Sequence, residues 1–295
     1  MRGEPRPLLI RGRRLVLGRR AWLMGVLNVT PDSFSDGGAY ADPARAAARG
    51  LELAAEGAEI VDIGGESTRP GAAPVSEAEE MARVLPVLRA LRPRTQALLS
   101  VDTTKAAVAR AALDAGADIV NDTSALRADP AMAGVVAGAG AGLVLMHMQG
   151  TPLTMQDSPH YDDLMGEILG FLEDRIRAAA GAGIPAERLI VDPGIGFGKT
   201  LEHNLEILRG LEAFRSLGRP LLVGVSRKSF LGRITGEPPA ARLEATIAAA
   251  VLSVERGADI LRVHDVGPVA RAVRTAEAVL AEGGTGEAEE DGHVR

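Results

Sequence analysis

Two sets of residues in this 295-residue chain have the types and spacing to do chemistry. The first is basic: Lys228 follows Ser226-Arg227, and Arg262 lies two residues before His264. An arginine can hold a phosphate through two parallel hydrogen bonds, and a donor histidine adds a third contact. Alternation along a strand points Arg262 and His264 to the same side, although parity alone leaves open whether that side is an interior. The competing reading is an Arg and a His satisfied by neighbouring carboxylates. The second set is Asp62, Asp102 and Asp192, with Asn28 and Asn121 alongside. Buried carboxylates need donors or a metal. They suit either Mg²⁺ shared with a diphosphate or a nitrogen heterocycle whose N–H edge they read. For Asp102, which precedes Thr103-Thr104, a helix N-cap is an equally good explanation.

Other motifs carry less. There is no cysteine, so disulfides, thiolate chemistry and Cys-ligated metals are excluded. HExxH, GxGxxG and GxxxxGK[ST] are absent, and Gly194–Lys199 imitates a phosphate loop without its spacing. His147 lacks the spacing of a zinc site, and His203 is expected on a helix surface. Met146, Met148 and Met155 are flexible apolar groups that can cover a flat ligand, though methionine in a core is commoner. Only Lys105, Lys199 and Lys228 are lysines among 33 basic residues, which draws attention to any lysine at a strand end.

These polar residues sit where short apolar runs stop. Trp22–Leu27 ends at Asn28, Ile60–Val61 at Asp62, Ala97–Val101 at Asp102 and Ile119–Val120 at Asn121. Leu143–Met146 ends at His147, Leu189–Val191 at Asp192, Leu221–Val225 at Ser226, and Ile260–Val263 reaches His264. Helices are expected near 42–56, 76–91, 104–115, 129–139, 162–182, 201–211, 240–256 and 267–281. Short buried strands alternating with helices predict a parallel sheet covered by helices. Eight such units predict an α/β fold, a closed (β/α)₈ TIM barrel whose active-site groups share the C-terminal mouth. Three joints read Gly57-Ala58-Glu59-Ile60, Gly116-Ala117-Asp118-Ile119 and Gly257-Ala258-Asp259-Ile260, each with a glycine that caps the helix before it. Residues 5–20 predict a β-hairpin turning near Gly12 that closes the barrel bottom. We expect one domain over 1–281, with the hairpin within 1–20, and a disordered acidic tail over 282–295. A net charge of −6 argues against nucleic acid, and no stretch reaches the length of a membrane span, so a cytoplasmic protein with small-molecule substrates is expected.

Longer motifs then support a resemblance. They are Asn28 to Gly38 (NVTPDSFSDGG), Asp62 to Gly71 (DIGGESTRPG), Ser100 to Thr103, Asn121-Asp122, Leu145 to Met148, Asp192 to Lys199 (DPGIGFGK), Gly224 to Ser229 (GVSRKS) and Arg262 to Asp265. From about Trp22 to Leu280 the chain resembles the bacterial dihydropteroate synthase family. That resemblance implies condensation of hydroxymethyl-dihydropterin pyrophosphate with p-aminobenzoate to dihydropteroate and pyrophosphate, in a protein that is commonly a homodimer. It implies that Asp102, Asn121 and Asp192 hold the pterin edge, between Met146 and Phe197, with Gly224 and Ser226 among the binding residues. Lys228 would reach the pterin carbonyl and pack on its ring. Asn28, Arg262 and His264 would bind the diphosphate, with Mg²⁺ at Asn28. Thr68, Arg69, Pro70 and Phe34 would form the aminobenzoate site. Asp102, Lys228, Arg262 and His264 are the expected catalytic set. A methyltetrahydrofolate-dependent corrinoid methyltransferase, or a non-catalytic pterin-binding paralogue, would need neither the diphosphate group nor the aminobenzoate loops.

Overall fold

The computed structural model describes residues 5–30, 42–67 and 71–281. Strands β1 (Arg6–Ile10) and β2 (Arg13–Leu17) form the antiparallel hairpin. Eight parallel strands follow: β3 (Trp22–Asn28), β4 (Ile60–Gly64), β5 (Leu98–Asp102), β6 (Ile119–Asp122), β7 (Gly142–Met146), β8 (Leu189–Asp192), β9 (Leu222–Val223) and β10 (Ile260–Val263). Their order is β8-β7-β6-β5-β4-β3-β10-β9, and a parallel bridge from Val191 to Leu221 closes the circle. This is the predicted (β/α)₈ barrel.

Strand parity sorts the side chains into layers. Met24, Ile60, Leu98, Ile119, Val144, Ile190, Leu222 and Ile260 point inward and pack with Leu8, Ile10 and Leu17 of the hairpin, so the bottom is plugged by apolar side chains. Residues of the opposite parity, such as Val61, Leu99, Val120, Leu143 and Leu261, lie in the core beneath the helices. Two residues beyond the inward apolar layer come Val26, Asp62, Ser100, Asn121, Met146, Asp192, Gly224 and Arg262. Polar groups thus enter the barrel only at its upper half.

The helices are α1 (Pro43–Ala55), α2 (Glu77–Leu91), α3 (Ala106–Asp114), α4 (Met132–Ala139), α5 (Leu164–Gly181), α6 (Leu201–Arg209), α7 (Ser229–Thr235), α8 (Leu243–Glu255) and α9 (Val266–Leu280). Asp42 and Ser76 cap α1 and α2 by accepting from Ala44 N and Glu79 N. Asp102 is not a cap: α3 starts after Lys105, and Asp129 accepts the Ala106 N–H at 2.8 Å. The repeated joints have a purpose beyond ending a helix. Their acidic residues accept from the neighbouring strand: Glu59 from Leu23 N at 2.7 Å, Asp118 from Leu99 N at 2.9 Å and Asp259 from Leu221 N at 2.8 Å. Each also meets an arginine, Arg20, Arg92 and Arg6 in turn.

Helix α7 departs from the sequence expectation, which ran from β9 to one helix over 240–256. Seven residues are too few for a period to show, and α7 is held by burying Phe230 and Leu231. His203 is partly buried rather than a surface residue; it forms a reciprocal capping pair with Thr200. The tail from 282 lies outside the described residues. Among those residues no helix is long and apolar enough to cross a membrane.

Candidate active site

The upper layer of the barrel opens into a narrow cleft. Asp102, Asn121, Met146, Asp192, Phe197, Gly224, Ser226, Lys228, Arg262 and His264 all line it, joined by Val26, Thr123 and Ile195. The last three were missed, although Val26 and Thr123 sit two residues from Asn28 and Asn121 on the same parity. Thr68, Arg69, Pro70 and Phe34 lie outside the described residues.

Arg262 is the centre of the charged half. Its Nε donates to Asp62 Oδ2 at 2.7 Å and its Nη2 to Asp102 Oδ2 at 2.8 Å. Asp62 is fully buried and also accepts from Asn121 Nδ2 at 3.0 Å. Asp62 therefore acts on the arginine and the amide, below the cleft. The basic and acidic sets of the sequence are one network, and two of the guanidinium's donors are already engaged. Nη1 makes no hydrogen bond among the described residues. Burial alone would lower the Arg262 pKa, but Asp62 and Asp102 together raise it. Burial pushes Asp102 up to about 7 against the pull of Arg262. Such carboxyls, poised in a cleft, mark functional positions.

Asp192, Lys228 and Phe197 form the other half. Asp192 accepts from Gly194 N at 2.7 Å, and burial raises it to about 6. Lys228 places its Nζ 3.9 Å from the centre of the Phe197 ring, a cation–π contact. Burial first, and Arg262 next, lower Lys228 to about 8. Met146 and Phe197 pack with Met148 and Met155 in a separate buried cluster, so only the first two face the cleft.

His264 is set by Ser226. Its backbone N–H donates to Ser226 Oγ at 3.2 Å, and its Nδ1 lies 3.0 Å from the same oxygen. The shared oxygen therefore fixes the orientation of the imidazole ring from both its backbone and its side chain. Burial, with Arg262 next, lowers His264 to about 4. At neutral pH it is a neutral imidazole rather than a cation. Arg227 is turned away, paired with Asp265 through two contacts of 2.9 and 2.6 Å.

His147, the fifth strand end, faces away from the cleft. It is buried, with Nδ1 3.0 Å from Lys199 Nζ and its ring edge-on to Phe171. Burial, with Lys199 next, holds it near 2, and burial lowers Lys199 to about 7.

Asn28 is not a lining residue. Its Oδ1 and Asp102 Oδ2 lie 3.7 and 3.9 Å from the point where a Gly64 side chain would begin. Among the described residues no group of three or more carboxylates and imidazoles could hold a metal by itself. Asp62 Oδ1 is buried without a hydrogen-bond partner. This donor set is all oxygen and sparse, which fits a hard cation that takes most of its ligands from a diphosphate and water.

Geometry of this kind, a barrel mouth with a carboxylate–amide edge beside an arginine–histidine pair, defines a small-molecule enzyme site. The chain belongs to the pterin binding enzyme family, whose model matches residues 24–264. Within it, the relatives are dihydropteroate synthases. That of Synechocystis sp. is 45% identical over 276 residues, 93% of this chain and 96% of the relative. The Xanthomonas albilineans dihydropteroate synthase with 4-aminobenzoic acid superposes with a TM-score of 0.88 at 48% identity, covering 95% of this chain and 100% of that one. The Yersinia pestis dihydropteroate synthase in a sulfonamide drug complex gives 0.88 at 46% identity, with 92% and 98% covered.

Proposed function

We propose that this chain condenses hydroxymethyl-dihydropterin pyrophosphate with p-aminobenzoate, releasing dihydropteroate and pyrophosphate. One observation carries the reading: a cleft in which Asp192 and Asn121 offer a polar edge is walled, on the side of β10, by Arg262 and His264. A pterin needs the first and a diphosphate the second. The relative with 4-aminobenzoic acid and the one with a sulfonamide drug supply the class of second substrate and its competitor.

The flat ring lies between Met146 and the Phe197–Lys228 stack. Asp192 accepts from its N–H donors, and Lys228 donates to its carbonyl. Arg262 and His264 meet the diphosphate, and the hydrogen bonds they donate strengthen as charge develops on the departing oxygen. Mg²⁺, held at Asn28 and by the diphosphate itself, would add neutralising charge there. The C–O bond breaks before the amine attacks, leaving positive charge on the methylene and the ring. Asp102, in its ionised form beside Arg262, stabilises that charge. The aromatic amine is already neutral and needs no strong base before attack. Arg69, Thr68, Pro70 and Phe34 complete the amine site.

The chain works as a homodimer through its late helices. Support comes from the exposed apolar side chains of the last two helices, Leu252 of α8 and Val279 and Leu280 of α9. A protein with these substrates works in the cytoplasm. Pyrophosphate release from the pterin diphosphate, dependent on p-aminobenzoate and Mg²⁺, is the test. No release with the amine present, or release that yields no dihydropteroate, would overturn the assignment.

A further inference from the structure

Lys199 is a buried amine that the chemistry above leaves unused. It is only 3% exposed, and its Nζ donates to Phe197 O at 2.9 Å and lies 3.0 Å from His147 Nδ1. No carboxylate is in salt-bridge contact with it among the described residues, although the Asp192 charge favours its protonated form from farther off, whereas buried lysines ordinarily have a direct partner. Its two partners come from different loops. Phe197 belongs to the turn after β8, and His147 ends β7.

Those loops touch at several further points. His147 N donates to Asp192 O at 2.9 Å. Gly194 passes so close beneath His147 that a Cβ there would lie 1.9 Å from its carbonyl oxygen, at a φ of +70° that already favours glycine. The His147 ring is fixed by Phe171, edge-on at 4.9 Å between centroids. The amine therefore closes a ring of contacts that runs from Phe197 O through Nζ and His147 to Asp192 and Gly194. Two cleft groups hang from that ring: the Asp192 carboxylate, held by Gly194 N, and the Phe197 face, on which Lys228 sits.

We propose that Lys199 is a positioning residue, which with His147 sets the spacing between the Asp192 carboxylate and the Phe197–Lys228 stack and so governs pterin affinity. This rests on the pterin reading above. The superficial phosphate-loop likeness of Gly194–Lys199 is explained differently: the lysine turns inward to hold its own loop.

The experiment compares wild type with Lys199→Met, which keeps the length and removes the donors. Calorimetry measures binding of the pterin diphosphate, and steady-state kinetics give KM for p-aminobenzoate. The pterin dissociation constant should rise about tenfold, equivalent to 1.4 kcal/mol, while KM for the amine stays within about twofold. A scaffold defect would weaken both. His147→Phe keeps a ring against Phe171 and removes the Nδ1 partner, so it should weaken the pterin severalfold, and it carries the test if Lys199→Met does not fold. The double variant should lose about as much as Lys199→Met alone, because both changes break one link. Unchanged pterin affinity in the folded variants, equal loss of both substrates, or fully multiplicative effects would overturn the proposal. If wild type itself binds no pterin diphosphate, the functional reading fails as well. If wild type binds it and releases pyrophosphate, a negative result in the variants counts against Lys199 alone.

Discussion

Replacing Arg262 by methionine removes the only cation in contact with two buried carboxylates among the described residues. Asp62 is fully buried and Asp102 is 8% exposed, at 2.7 and 2.8 Å from the guanidinium. Breaking a buried pair in this way costs about 3–5 kcal/mol, because the partner charge is stranded. For a domain of about 280 residues that is a fall in Tm of about 10 °C. The loss has a pH signature. Asp102 stands at about 7 while Arg262 pulls it down, so without the arginine it rises further. A carboxyl whose folded pKa lies above its unfolded value gives stability that is complete below the unfolded pKa and is lost as pH rises through the folded one. The deficit of Arg262→Met relative to wild type should therefore be smaller near pH 5 and widen as pH rises through about 7. Adding Asp102→Asn should flatten that dependence. Thermal melts of ligand-free protein across this range are the assay, with calorimetry for ligands. Binding of the pterin diphosphate should fall about a hundredfold, and that of the pterin alcohol much less. A variant that melts like wild type at pH 8 would refute the charge argument. Equal loss of both ligands would make Arg262 a scaffold residue only.

Asp192→Asn should raise the pterin dissociation constant about 10- to 100-fold, the worth of a charge-assisted hydrogen bond, whereas Asp102→Asn should reduce kcat more than binding; isothermal binding with single-turnover kinetics separates them, and intact turnover in Asp102→Asn would remove its electrostatic role. Gly194→Ala should cost more than about 3 kcal/mol or abolish folding, since its Cβ would meet His147 O at 1.9 Å; a denaturant curve checks this. With His264 lowered to about 4, its titration should leave turnover flat between about pH 6 and 8, and a His264→Gln profile of the same shape, at reduced rate, is expected. Leu252→Asp should shift the protein toward monomer in sedimentation without changing the pterin dissociation constant.

Much of the barrel was legible because its signals are local. A buried parallel strand is a short apolar run, a helix is an Ala-rich stretch, and the Gly-Ala-acid-Ile joints repeat where one passes into the next. The strand-end positions of Asp102, Asn121, Asp192 and Arg262 follow from the same pattern. The seven-residue α7 had no such signal, being held by the burial of Phe230 and Leu231. Strand alternation placed Arg262 and His264 on one side, but only closure of the barrel made that side the interior. Closure also brought Asp62 to Arg262, 200 residues apart in sequence, and Lys199 to His147, 52 apart. It turned a presumed anion group and a presumed acidic group into one network. Composition and spacing can name the residues able to carry charge. Which charges neutralise each other depends on distances of about 3 Å between strands that share no local sequence, and those are set by packing and register alone.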